Sequence, residues 1–231
     1  MISFIIPSFN SVTWLPSAVT SCLEQTYKDI EVVVIDDGST DRTGDYLDWL
    51  QKDSRVKIIH NPTNLGRSLA RNIGNKAAQG EILCVLDSDD LATPNRAEII
   101  AKKFSVGDFD YIYGAATVAN VLGIPQHIIM PDVFDKDKAL DSLQNRIIHS
   151  TVAYTKQFSE KYPYRANEIA ELGIDDWCQQ IESKLDGAKF DFVPQRLCVY
   201  RILNSQITKT RDENKVLEVK KAFLESLKIV A

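Results

Sequence analysis

Residues 81–90 read EILCVLDSDD. Ile82 to Leu86 has the unbroken apolar character of a strand covered on both faces, and it runs straight into Asp87, Ser88, Asp89 and Asp90. Three carboxylates within four residues repel one another, so a turn alone does not explain them. Residues 31–40, EVVVIDDGST, repeat the event, a Val-rich strand ending in Asp36 and Asp37. Strands that end in acids on one side of a sheet call for a ligand on that side.

Working outward, short strands are expected at Ser3–Ile6, stopped by Pro7, and at Glu31–Ile35, Val56–Ile59, Ile82–Leu86 and Tyr111–Tyr113. Between them fall helices over Leu15–Gln25 and Thr43–Gln51, over NLGRSLARNIGNKAAQG with Gly80 as its C-cap, and after Pro94. Such alternation with short connections implies right-handed crossovers and an α/β fold with a mostly parallel, helix-covered sheet. Ligands of these sheets bind beyond the carboxyl ends of the strands. Pro7 to Asn10, Asp36–Asp37 and Asp87 to Asp90 then share one rim. The second half is less regular. Residues 118–146 show no clear period and are expected to include a loop over the cleft. ELGIDDWCQQI reads as a helix start with Asp175 or Asp176 near its N-terminus. KFDFVP and LCVYRI read as short strands, and Asp212–Val230 as a helix that packs on the body.

At 231 residues and 44% hydrophobic, the chain can bury a substantial core. A net charge of −5 weighs against a nucleic-acid partner and makes a metal cation the natural mediator for an anionic ligand. Cys22, Cys84, Cys178 and Cys198 show no C-x-x-C spacing and sit in apolar stretches, so reduced buried thiols in a reducing compartment are expected. The opening MISFIIPSFN lacks the basic flank of a signal peptide, and no apolar run nears the roughly 20 residues of a membrane span. The expected location is cytoplasmic, in solution or peripheral to a membrane.

No G-x-G-x-x-G follows the first strand and no G-x-x-x-x-G-K-[ST] occurs, which disfavours dinucleotide and P-loop sites. Without a glycine cradle, Asp87-Ser88-Asp89 can reach a diphosphate through Mg²⁺ or Mn²⁺ held on carboxylate oxygen. A nucleotidyltransferase would show a glycine-rich basic loop where IPSFNSVTW stands, and an aspartyl-nucleophile phosphatase would carry D-x-D after its first strand.

FIIPSFN, CLEQTYKDIEVVVIDDGSTDRT, NLGRSLARNIGNKAAQGEILCVLDSDD and DDWCQQI resemble, in order and spacing, the family 2 glycosyltransferases of the GT-A fold (the nucleotide-diphospho-sugar transferase superfamily). The resemblance covers residues 1 to about 95 most fully, continues around 149–201, and is absent from the C-terminal tail. It implies one GT-A domain over 1–231, with a nucleotide-sugar-binding half at 1–95, an acceptor and catalytic half at 96–210, and a C-terminal helix at 211–231. It implies a metal-dependent, inverting transfer from a nucleotide-diphospho-sugar, a UDP-sugar first among the candidates, to a glycan, lipid-linked or small-molecule acceptor. Surface polysaccharide or other glycoconjugate synthesis is the expected setting.

By that analogy Pro7 and Phe9 border the base, and Asp37 accepts a hydrogen bond from a base N–H, while Asp36 suits an ordinary strand-to-helix turn. Arg71 lies near the nucleotide, either on phosphate or bracing the acids, or else is a surface arginine, and Arg67 is a lesser candidate. Asp87 faces the ribose with Ser88 beside it, Asp89 is the metal ligand, and Asp90 caps the next turn. Asp176 takes the place of the catalytic base, with Asp175 replacing the usual glutamate. The ordinary reading of this pair is a helix N-cap, stabilising by about 1 kcal/mol. His149 falls where relatives often line the acceptor side, although a lone histidine is more often structural. Leu203 stands where many relatives carry a late metal-binding histidine. That departure and Asp175 support one alternative, a catalytically weak or inactive nucleotide-sugar-binding module.

Overall fold

The computed structural model describes residues 1–135, 147–166, 168–203 and 211–227. The first half alternates as expected: β1 Ile2–Ser8, α1 Leu15–Leu23, β2 Ile30–Asp36, α2 Thr43–Leu50, β3 Val56–His60, α3 Arg67–Ala77 and β4 Ile82–Val85. Then come β5 Leu91–Ala92, α4 Arg96–Ser105, β6 Tyr111–Ala119, β7 Pro125–Ile129 and a single 3-10 turn, His149–Thr151. The chain continues with β8 Ala153–Thr155, α5 Lys156–Lys161, α6 Glu168–Glu171, α7 Asp175–Leu185, β9 Phe190–Arg201 and α8 Glu213–Ser226.

Among the described residues nine strands form one sheet, in the order β3-β2-β1-β4-β8-β6-β9-β5 with β7 beside β6. β1 to β4 are mutually parallel, β6 runs parallel to β9, and β5, β7 and β8 pair antiparallel. Alternate residues face opposite layers, as a strand's period of two requires. Phe4, Ile6, Val32, Val34, Cys84 and Leu86 pack with α1, and Ile5, Val33, Ile35, Leu83 and Val85 pack with α3. This is why the strands read as continuous apolar runs. Helix α3 lies close because Gly74 faces Ile5 and Ile35, where a Cβ would come within 2.5 Å of Ile35.

Register sets the rim. Ser8 pairs with Asp36 and Asp36 with His60, while β4 ends at Val85 opposite Ile5, so the following acids emerge beside Ser8.

Several expectations need correcting. Helix α3 ends at Ala77, with Ala78 already extended, so Gly80 is not its C-cap. Gly80 instead lets the backbone approach Ser3, whose Oγ would sit 2.5 Å from an added Cβ. The stretch after Val118, expected to lack a period, begins with regular structure, because β6 and β7 form an antiparallel hairpin around Asn120–Ile124. Residues 136–146 of the expected cleft loop lie outside the described residues, as do 228–230 of the expected terminal helix. KFDFVP and LCVYRI belong to one twelve-residue strand, β9, whose register against β6 shifts twice near Gly114. Neither Asp175 nor Asp176 is an N-cap. Ile174 holds that position and both acids lie in the first turn of α7.

Helix α8 packs on its own body. Val216, Phe223 and Leu224 bury against Leu172, Ile174, Trp177 and Ile181, with Phe223 set edge-on to Trp177 at 6.0 Å. Among the described residues no helix is long and apolar enough to cross a membrane.

Candidate active site

The loops after β1, β2 and β4 are tied into one surface. Asn10 Oδ1 accepts the N–H groups of Thr40 (2.8 Å) and Asp41 (3.3 Å), and Asn10 N–H donates to Ser39 Oγ. Ser11 Oγ lies 3.0 Å from Ser88 Oγ and joins the first loop to the acids. Gly38 is required here. Its φ is +74°, and a Cβ would lie 2.6 Å from the Thr63 carbonyl carbon.

Pro7 is buried inside β1, beyond the last pairing with β4, whereas Phe9, at the rim, is 45% exposed. Asp36 serves the turn, accepting Ser39 N–H (3.0 Å) on Oδ1 and meeting His60 Nδ1 (2.9 Å) through Oδ2. Asp37 holds the neighbouring loop: Oδ1 accepts from Asn61 Nδ2 (2.8 Å) and Leu65 N–H (3.0 Å), and Oδ2 from Gly66 N–H (2.8 Å). A carboxylate has about four lone-pair sites, so among the described residues one on Oδ2 is left open.

The three acids after Leu86 have three different environments. Asp87 Oδ1 accepts from Arg71 Nη2 at 2.6 Å. Burial disfavours its charge, but Arg71 overrides that and holds the carboxyl below its ordinary pKa. Asp90 is fully buried, and its Oδ1 accepts the N–H of Arg201 on β9 at 2.9 Å. Burial first, then Asp89 and Asp87, push its pKa well above the ordinary range. Asp90 is thus more than a cap for the next turn, since it ties the acidic loop to β9. Asp89 lies half-buried between them, its carbonyl oxygen held by Arg201 Nη1 at 3.0 Å. One acid paired with a cation, one disfavoured from ionising and one at the rim remove most of the repulsion that the sequence suggests.

Among the described residues, no group of three His, Cys, Asp or Glu side chains is arranged to hold a metal ion, and Leu203 is buried and cannot ligate. The donor set still suits a hard cation that keeps waters and takes one or two carboxylates plus substrate phosphate, as Mg²⁺ and related ions do. Asp89, with Asp87 Oδ2 nearby in sequence, would supply the carboxylate.

Arg71 links this rim to the second half. It is 4% exposed, donates through Nη1 to Asp175 Oδ2 (2.8 Å), and sits 5.5 Å from the Tyr164 ring centroid. Burial alone would weaken its charged form, but Asp87 and Asp175 hold it firmly protonated. It is a brace for the acids and not a surface arginine. Asp175, 1% exposed, also receives Arg67 Nη2 (3.0 Å) and Ser68 Oγ (2.9 Å). Burial would raise its pKa, yet Arg67 and Arg71 bring it below the ordinary value. Asp176, next in sequence, is 14% exposed, and its Oδ1 accepts the N–H of Trp177. Burial, then the charge of Asp175, lift its pKa to about 6. His149 Nδ1 lies 3.9 Å from Asp176 Oδ2. Adjacent acids thus have opposite characters, one held toward its ionised form by Arg67 and Arg71 and one suited to exchanging a proton near neutrality.

Sequence reasoning passed over Ser68, Ser150, Tyr164 and Arg201. Ser150 Oγ accepts Asp87 N–H (3.1 Å), and its carbonyl is held by the buried Arg96. No local pattern marks such residues, because their partners lie far away in the chain.

The sequence profile described as Glycosyl transferase family 2 matches residues 3–162. Glycosyltransferase GlyG of Streptococcus pneumoniae serotype 4 is 35% identical over 115 residues, covering 49% of this chain and 38% of that protein. An uncharacterized glycosyltransferase of Nostoc sp., alr2836, is 36% identical over 143 residues, 61% of this chain and 39% of that protein. The matches thus span well under half the length of these relatives. Among solved structures, S. aureus TarS 1–349 in complex with UDP-GlcNAc superposes with a TM-score of 0.75 at 18% identity, covering 96% of this chain and 66% of that one. Mannosyltransferase PcManGT from Pyrobaculum calidifontis, in complex with GDP-Man and Mn²⁺, gives 0.64 at 17% identity, covering 96% and 60%. The likeness to these structures is one of fold and fits the GT-A architecture. With the profile covering more than half its length, the chain belongs to glycosyl transferase family 2.

Proposed function

We propose that this protein transfers a sugar from a nucleotide-diphospho-sugar to an acceptor hydroxyl with inversion at the anomeric carbon, Asp176 acting as the base. The observation that carries this reading is the clamp Asp87–Arg71–Asp175, which fixes the donor rim against the helix bearing Asp176. Phe9 offers its exposed ring to the base beside Pro7, and the open lone pair of Asp37 Oδ2 takes a base N–H. Asp87, its Oδ1 committed to Arg71, meets the ribose through Oδ2, with Ser88 on the same loop. Asp89 would hold Mg²⁺ or Mn²⁺, which when bound offsets the charge gathering on the departing diphosphate. The TarS complex with UDP-GlcNAc and the PcManGT complex with GDP-Man and Mn²⁺ support a nucleotide-sugar donor, and we favour a UDP-sugar.

The acceptor oxygen attacks the anomeric carbon as its proton passes to Asp176, and the bond from that carbon to the diphosphate breaks on the opposite face. A base with a pKa of about 6 is mostly ionised at pH 7 and above and still takes a proton readily. Asp176→Asn tests this. Donor binding, followed by thermal shift, should survive, while turnover falls by about 10²- to 10⁴-fold. Turnover within a few-fold of wild type would remove Asp176 from the role. Donor binding without turnover in the wild type, across an acceptor panel, would favour a binding module instead.

A further inference from the structure

His149 is buried, and its Nε2 lies 2.9 Å from the Tyr164 hydroxyl. Tyr164 Oη lies 3.1 Å from Tyr154 Oη, which reaches Asn75 Oδ1 at 3.1 Å. Each end of this chain carries an orphan. His149 Nδ1 and Asn75 Nδ2 are both buried with no hydrogen-bond partner among the described residues. The 3.9 Å from Nδ1 to Asp176 Oδ2 is too long for a hydrogen bond, yet one oxygen atom can reach both.

Two proton orders satisfy the chain. If Tyr154 donates to Asn75 Oδ1, Tyr164 donates to Tyr154, His149 carries its proton on Nε2, and Nδ1 turns a lone pair toward a carboxylate. Turning the Asn75 amide by half a rotation reverses every bond, which hydrogen-bond patterns decide for amides and imidazoles alike. Nδ2 then donates to Tyr154, Tyr154 to Tyr164 and Tyr164 to His149 Nε2, leaving the proton on Nδ1. An ionised Asp176 selects this second order, because an N–H and not a lone pair then faces it. It also leaves an acceptor unpaired at Asn75 where the first order leaves a donor, and buried unpaired acceptors are the better tolerated of the two. Asn72 clamps the backbone N–H and C=O of Tyr164 at 2.9 and 2.8 Å, so the hydroxyl that orients the ring is itself fixed.

We propose that His149 is a positioning residue whose Nδ1–H, together with Asp176 Oδ2, forms a two-point seat for one acceptor hydroxyl. The seat rests on the reading of Asp176 as base. The acceptor oxygen receives the Nδ1–H on one lone pair, gives its proton to Asp176, and attacks with the other lone pair. His149 keeps its own proton throughout. Burial and then Arg71 push its pKa down to about 3, so the ring stays neutral.

The test is ¹⁵N NMR of histidine-labelled protein. Its three histidines give few signals, and His149→Gln identifies the relevant pair. Should that variant not fold, His60→Gln and His127→Gln assign it by elimination. The expected result is a neutral ring protonated on Nδ1 at pH 8, with an NOE from that proton to a bound water standing in the seat. The Nδ1 shift should follow a titration near pH 6 that Asp176→Asn abolishes, and Tyr164→Phe should move the proton toward Nε2. An Nε2-protonated or charged ring in the wild type, no NOE to water, or an Nδ1 shift indifferent to Asp176→Asn would overturn the proposal. None of these readouts uses a sugar donor, so the seat can fail while glycosyl transfer stands, and the reverse.

Discussion

Asp176→Asn should stabilise the protein while disabling it, and the gain should depend on pH. A carboxyl whose pKa is raised on folding penalises the folded state above that pKa. The penalty is full above about pH 6 and fades as the pH falls toward the ordinary value of 3.8. The rise to about 6 corresponds, at about 1.4 kcal/mol per pH unit, to about 3 kcal/mol. Asparagine keeps the shape and the acceptor oxygen for Trp177 N–H, but it gives up a negative charge in the first turn of α7. That loss is worth about 0.3–1 kcal/mol. The net expectation is a gain of about 2 kcal/mol at pH 8, or about 4–8 °C in Tm for a chain of this size. Urea denaturation and calorimetry of both proteins from pH 4 to pH 9 measure it. The two stability curves should converge near pH 4. A variant less stable than wild type at pH 8, or a difference constant with pH, would refute the argument that burial and Asp175 hold Asp176 in an unfavourable charged state.

Arg71→Met leaves Asp87 without the guanidinium that holds it and, among the described residues, leaves Asp175 to Arg67 and Ser68. Breaking a buried pair in this way costs about 3 kcal/mol at the low end, so Tm should drop by about 6–12 °C in a thermal melt at pH 7. Gly38→Ala should destabilise by at least about 2 kcal/mol, through both the positive φ and the clash with Thr63. Its control, Gly44→Ala in α2, has nothing within 4 Å of the new Cβ and should be neutral or stabilising by about 0.5–1 kcal/mol. Equal urea midpoints for the two variants would remove the close approach at Gly38 from the account.

The first half of the fold was legible because its signals are local. Buried parallel strands show as unbroken apolar runs, and each ends at a polar rim within a few residues. Gly80 misled because a glycine after a helix can serve a cap or a close contact, and only the position of Ser3 decides between them. The β6–β7 hairpin was missed because Val121, Leu122, Ile124 and Ile128 are exposed, so the usual alternation of apolar and polar residues is lost. The site was legible as a set of acids but not as a network. Arg71 and Asp175 are 104 residues apart, and nothing near either residue announces the pairing. Asp37 shows the same limit. Its position after β2 makes it a site candidate, while its three bonds to Asn61, Leu65 and Gly66 appear only once the loops are in place.

Donor binding at the acidic rim is measured by a thermal-shift titration of UDP-, GDP- and dTDP-sugars, each with and without Mn²⁺, on wild type and Asp89→Ala. A donor at about a hundred times its Kd should stabilise the wild type by about 2.7 kcal/mol, or roughly 5–11 °C. One class of donor should do so in the presence of the metal, and Asp89→Ala should abolish the shift. No shift with any donor under either condition would contradict it, because the acids after Leu86 would then not form a donor site.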